Sequence, residues 1–215
     1  MKIPSKVTAF IILVFTLVCL DQDCLAQVQT QATEINSSKY KKYPFIFSIG
    51  NHAVSMPFYR MLRKPFHPAF AIGTELTYKR GKHGLLSQTL NLGYFYNKYN
   101  ATGLSVQTEL AYRYTTGIGF FGDAFIGAGY LHTFRVRKIY EADGKGDYVP
   151  VRDMGKPSVL ASFSLGLGYD FSNKGHLPFA LFARYQWFAQ IPYVDPLPFW
   201  PQAITSIGLR FYFRK

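Results

Sequence analysis

The chain has 215 residues, 48% of them hydrophobic and 18% aromatic, with 18 Gly and a formal net charge of +12. One domain fits that length and uniform composition. No zinc-ligand spacing, phosphate-cradling glycine loop or helical heptad occurs, which sets those chemistries aside and leaves no cofactor or metal site to expect.

Lys2 and Lys6 precede an apolar run over 7–20, and "CLA" at 24–26 supplies small residues for a cut after Ala26. A positive start, an apolar middle and a small-residue cleavage site describe a secretory signal peptide, residues 1–26. The run is shorter than the roughly 20 residues that span a bilayer as a helix. Cys19 and Cys24, the two cysteines of the chain, leave with it. The mature chain then has no disulfide framework, thiolate metal site or cysteine nucleophile. Export also argues against nucleic acid as the partner of this basic chain; anionic lipid headgroups and lipopolysaccharide phosphates fit better.

Residues 27–44, "QVQTQATEINSSKYKKYP", are polar and unpatterned and read as a flexible N-terminal extension. Residues 45–215 form the single domain, a series of segments with alternating polarity, each bounded by turn residues. The alternation predicts strands at about 45–54, 69–79, 85–97, 101–115, 119–135, 157–171, 178–190 and 203–213. In the fourth, Leu104, Val106, Thr108, Leu110, Tyr112 and Tyr114 share one face, and Ser105, Gln107, Glu109, Ala111 and Arg113 the other. The sixth opposes Val159, Phe163, Leu165 and Leu167 to Ser162, Ser164, Gly166 and Gly168.

The connections decide which face meets what. "RGKHG", "TGI" and "SNKGHL" are short, and they alternate with 55–68, "KYN" at 98–100, 139–156 and 191–202, a set that is longer except for "KYN". Tight turns on one side and longer loops on the other are the pattern of an outer-membrane barrel. The expected fold is an all-β, eight-stranded antiparallel up-and-down transmembrane β-barrel. Its apolar faces look at lipid and its small, polar faces fill the interior. A soluble lipocalin-like barrel is the alternative, and it needs a polar outer face instead.

The terminal "SIGLRFYFRK" carries Leu209, Phe211 and Phe213 in alternation, followed by Arg214 and Lys215. With the signal and the eight segments, this resembles the small bacterial outer-membrane β-barrel proteins, although many of those stop at the terminal aromatic. The resemblance implies location in the bacterial outer membrane and insertion by the barrel-insertion machinery, which reads that last strand. It implies almost nothing about activity, and the oligomeric state stays open.

Alternation turns Glu75, Glu109, Asp123, Arg184 and Arg210 inward at about mid-strand depth, with Arg113 nearer the tight turns. Opposite charges across a narrow lumen predict a paired polar plug, because buried charges must be paired. Structural or surface-interaction roles follow from a filled lumen. A lipid-A-modifying enzyme, deacylase-like or acyltransferase-like, and a carrier of small apolar solutes are the alternatives. Barrel deacylases place His and Ser two apart near the rim. Here "NHAVS" offers His52 and Ser55 three apart, on opposite faces of a regular strand. The carrier's one hint is the inward set Phe121, Phe125 and Phe182. Enzymatic activity is left undecided. On the loops, Arg60, Arg63, Lys64, Arg135 and Arg137 are candidates for anionic surface partners, and Trp200 sits in the proline-stiffened loop 191–202.

Overall fold

The computed structural model describes residues 43–57, 65–136, 139–142, 148–151, 153–174, 177–192 and 198–213. The expected signal peptide (1–26), and the extension (27–44) up to its last two residues, lie outside them. So do Arg60, Arg63, Lys64 and Arg137.

Eight long strands close into one antiparallel barrel. They are β1 (Phe45–Ala53), β2 (Pro68–Arg80), β3 (Gly84–Tyr96), β4 (Ala101–Thr115), β5 (Phe120–Arg135), β8 (Lys156–Asp170), β9 (Phe179–Ile191) and β10 (Trp200–Phe211). Each pairs with its sequence neighbours in the barrel, and β1 pairs with β10 from Phe45 against Phe211 to Ala53 against Ala203. The up-and-down order has no crossover, as hairpin-linked antiparallel strands dictate. The strands follow the period-2 alternation: Leu90, Leu92, Leu104, Val106, Ile126, Phe163, Leu167 and Ile207 are exposed, while Ser87, Thr89, Glu109, Ser164 and Arg210 are buried. This is a soluble protein's pattern turned inside out. Such an outer face, apolar across consecutive strands, belongs against hydrocarbon rather than water.

Two corrections concern the connections. The stretch 139–156 contains a separate two-stranded hairpin, β6 (Ile139–Ala142) and β7 (Tyr148–Val151), with Ile139 paired to Val151. Strands of four residues are too short for alternation to announce them. The last strand begins at Trp200, not at 203. Pro201 reads in sequence as a loop residue, yet proline is tolerated near a strand's first residue, and here it pairs with Ala189. Trp200 is therefore the first residue of β10 rather than a loop side chain.

The tight turns share one rim. Gly81 N–H donates to Gly84 O at 2.7 Å, and Thr116 N–H donates to Phe120 O at 2.7 Å. Gly119 takes φ of 99°, a left-handed value that favours glycine. A 3₁₀ turn over Phe171–Lys174 leads from β8 to β9. A belt of T-shaped and tilted aromatic contacts circles part of this rim: Phe120, Tyr169, Phe171, Phe179 and Phe211 follow one another with ring centroids 5.0, 4.8, 5.0 and 6.4 Å apart.

Candidate functional site: a charged, layered lumen

The lumen is filled in layers from the tight-turn end upward. Ile46, Phe121, Ala180 and Phe182, with Tyr212 packed on them, form the lowest. Three of the lumen phenylalanines lie directly opposite glycines on the next strand: Phe95 on Gly103, Phe121 on Gly168 and Phe182 on Gly208. A Cβ at Gly168 would lie 2.4 Å from the Phe121 ring, so the glycine is what makes room for the aromatic. The lower mouth is finished by Tyr212, whose hydroxyl donates to Asp170 Oδ2 at 3.4 Å. Burial raises the Tyr212 phenol above its ordinary pKa and keeps that proton in place.

Next comes a square of two arginines and two acids. Arg113 Nε donates to Asp123 Oδ1 at 2.7 Å, and its Nη2 to Glu75 Oε2 at 3.1 Å. Arg210 Nε lies 3.0 Å from Glu75 Oε2, and its Nη2 3.5 Å from Asp123 Oδ2. The Nε contact is an ion pair by distance without hydrogen-bond alignment, and Arg210 Nη1 is buried without a hydrogen-bond partner among the described residues. The faces of Phe121 and Phe182 lie 5.7 and 5.6 Å from the Arg210 guanidinium. Arg113 and Asp123 are direct cross-strand partners. Asp123 and Arg210 thus belong to the tight-turn half of the lumen with Arg113, where mid-strand depth was expected. Asp123 is four residues into β5, and Arg210 is next to last in β10.

Above the square, Glu109 collects nearly every donor around it. Arg184 Nη2 reaches Oε2 at 2.6 Å, Asn91 Nδ2 donates to Oε2 at 3.0 Å, and Ser162 and Ser164 donate to Oε1 at 3.3 and 3.4 Å. Phe125 covers Arg184 at 4.1 Å. The fit depends on Gly127 opposite, where a Cβ would come within 2.5 Å of Glu109 Cγ. Gln186 then donates to Gln107 at 2.9 Å. A cavity of about 50 Å³ lies alongside, touching Ser48, Ser105, Gln107, Arg184, Gln186 and Ser206.

An apolar layer of Ala69, Phe95, Leu131, Leu160 and Phe188 follows, and a polar ring closes the far end. Asn97 Nδ2 donates to His52 Nδ1 at 3.2 Å, and His52 Nε2 donates to Gln202 Oε1 at 2.7 Å. Gln202 donates to Gln190 at 3.1 Å, and Gln190 to Ser158 and Thr133 at 2.9 and 3.1 Å. Every donor points the same way around the ring, which spans β1, β10, β9, β8 and β5. His52 also stacks on Phe95 at 4.1 Å.

The six lumen candidates, Glu75, Glu109, Arg113, Asp123, Arg184 and Arg210, therefore come together as a four-residue and a two-residue group. His52 and Ser55 do not form a couple: both ring nitrogens of His52 are committed to amides, and the Ser55 hydroxyl is buried with no partner among the described residues. β1 ends at Ala53, so strand alternation no longer governs Ser55. Arg135 ends β5 exposed. Among the described residues no group of acids and histidines is arranged to hold a metal ion. Sequence reasoning missed the mouth ring, whose Gln190 and Gln202 are polar residues at inward strand positions and whose Asn97 directly follows β3.

No protein-family model matches the chain, and no curated protein does. Solved structures do. Neisserial surface protein A is similar with a TM-score of 0.51 at 10% identity, over 82% of this chain and 100% of that one. The fold is that of a small outer-membrane β-barrel. The outer membrane enzyme PagL (TM-score 0.46, 11% identity, 78% of this chain and 98% of that one) is also among the matches. So is Ail, the attachment invasion locus protein of Yersinia pestis (0.45, 11%, 80% and 97%). At these identities the likeness is one of architecture. An apolar outer face around a charged interior puts such a barrel in a membrane.

Proposed function

We propose that the protein is an integral barrel of the bacterial outer membrane with a closed lumen, serving a structural role or acting through the end that bears its long connections. The observation that supports this most is the five buried ion pairs joining β2, β4, β5, β9 and β10 across the lumen. The cavity of about 50 Å³ has room for about three to five waters and none for a solute of drug size. Of Phe121, Phe125 and Phe182, the hint of an apolar passage, all three lie against arginine guanidiniums, and Phe182 also lines this cavity.

In this reading the tight turns face the periplasm and the long connections face outward. Arg60, Arg63, Lys64, Arg135 and Arg137 then meet lipopolysaccharide phosphates. Cleavage after Ala26 delivers the mature chain, and Leu209, Phe211 and Phe213 guide its insertion. The test is conductance in planar bilayers. The intact protein is expected to show no steady open level; a stable aqueous conductance would refute the closed lumen.

A further inference from the structure

We infer that the tight-turn end of β2, β3 and β4 carries an outer-face notch for the phosphate headgroup of an anionic phospholipid, aimed by a bulge at Tyr78. The inference rests on the membrane-spanning reading above. Along β2, Glu75 points inward, and unbroken alternation would send Lys79 inward as well. The pairing of β2 with β3 shifts between Thr77 and Lys79. Tyr78 and Lys79 consequently leave the strand on the outer face one after the other, the re-aiming that bulges provide.

What they meet there is unusually polar for a lipid-facing surface. The Tyr78 hydroxyl donates to Gln88 Oε1. Gln88 Nε2 donates to Thr108 Oγ1 at 2.7 Å, and Thr108 Oγ1 to Thr89 O at 3.1 Å. This ladder satisfies its own polar groups, so it can border hydrocarbon. One step nearer the rim, Lys79, Leu86 and Tyr112 stand side by side on three strands. Lys79 and Tyr112 are both exposed, and neighbouring-strand spacing sets their backbones about 10 Å apart. A Cβ on Gly84 would lie 2.9 Å from the Tyr112 hydroxyl oxygen, so that hydroxyl reaches back toward the turn. Tyr114 follows, its ring 5.9 Å from that of His83. An ammonium and tyrosine hydroxyls flank an apolar floor at the depth where headgroup phosphate gives way to acyl chain.

Charge favours an anion at this rim. The lumen's three acids and three arginines offset one another. On the turn, Arg80 and Lys82 are exposed, and in sequence Lys41 and Lys42 precede β1 while Arg214 and Lys215 follow β10. Asp170, an acid of this rim among the described residues, is already engaged by Ser172 and Tyr212. Basic side chains beside exposed tyrosines at interfacial depth suit a lipid phosphate better than a soluble polyanion such as a peptidoglycan fragment.

The experiment equilibrates the full-length protein with vesicles of phosphatidylcholine and phosphatidylglycerol, then weighs the extracted barrel with its retained lipids by native mass spectrometry. Phosphatidylglycerol should be retained over phosphatidylcholine. Lys79→Gln should retain about fivefold less, Lys79→Arg should restore it, and Lys98→Gln on the opposite rim should change nothing. Unchanged retention in Lys79→Gln, equal retention of both lipids, or Lys79-dependent displacement by peptidoglycan fragments would overturn the assignment. Each sample is also run unheated and boiled on a gel. Absence of a heat-dependent mobility shift in the unaltered protein would be failure of the barrel reading itself, separate from failure of the notch.

Discussion

Glu109 shows how tightly a single residue is held in this lumen. Five side chains donate to its two oxygens, and it is 1% exposed. Removing its charge leaves Arg184 buried without a counter-ion, the costly half of a broken ion pair. Glu109→Gln should therefore lower stability by about 3–5 kcal/mol, read from urea unfolding in lipid vesicles. Replacing both partners, as Glu109→Leu with Arg184→Leu, should recover most of that, because an apolar pair needs no compensation. If the double variant is as unstable as the single, the ion pair is not what the single variant lost. His52→Phe keeps the stack on Phe95 but strands Gln202 Oε1 and the Asn97 amide, at an expected cost of about 1–3 kcal/mol by the same measurement. Strand parity alone assigns a face, which is why Glu75 and Arg184 could be assigned inward from the sequence. Partnership depends on register between strands. Nothing in the sequence said that Arg113 stands directly opposite Asp123, or that His52 would spend both nitrogens on amides.

Elements tell the same story through their ends. Alternation recovered all eight barrel strands to within three residues because each runs far enough for parity to persist, from nine residues in β1 to sixteen in β5. It failed where the signal was shorter than its period needs, at β6 and β7, and where a proline masked a strand start, at Pro201. It also passed over the bulge: one extra residue at Tyr78 reverses the face of everything after it, and nothing in "TYKRGK" distinguishes a bulge from the turn that follows. The turn between β4 and β5 allows a sharp comparison. Gly119 has φ of 99° with Asp170 O 3.0 Å from where a Cβ would be, whereas Gly117 has open space around it. Gly119→Ala should destabilise by about 1 kcal/mol or more, and Gly117→Ala should be close to neutral, compared by unfolding midpoints under identical conditions. Equal effects would mean that the turn's backbone does not depend on the left-handed residue.

For the whole molecule, buried ion pairs tie strands of the barrel together from inside. Its ion pairs are shielded from solvent, so raising the salt should leave the unfolding midpoint nearly unchanged. A marked salt-induced loss would place the stabilising charges at the rims instead. The seam between the first and last strands has a different consequence. Phe45 pairs with Phe211 at the same rim where the short turns lie, so the described chain enters and leaves the barrel side by side. Such a ring has no inherent starting point. A circular permutant, with the two ends joined across this rim and the chain opened at Gly117, should fold to the same barrel in detergent. Its final strand would then be β4, ending in Tyr112 and Tyr114 in place of Phe211 and Phe213. Comparing its folding in detergent with its assembly in cells would show whether assembly in cells requires anything of the last strand that the architecture does not.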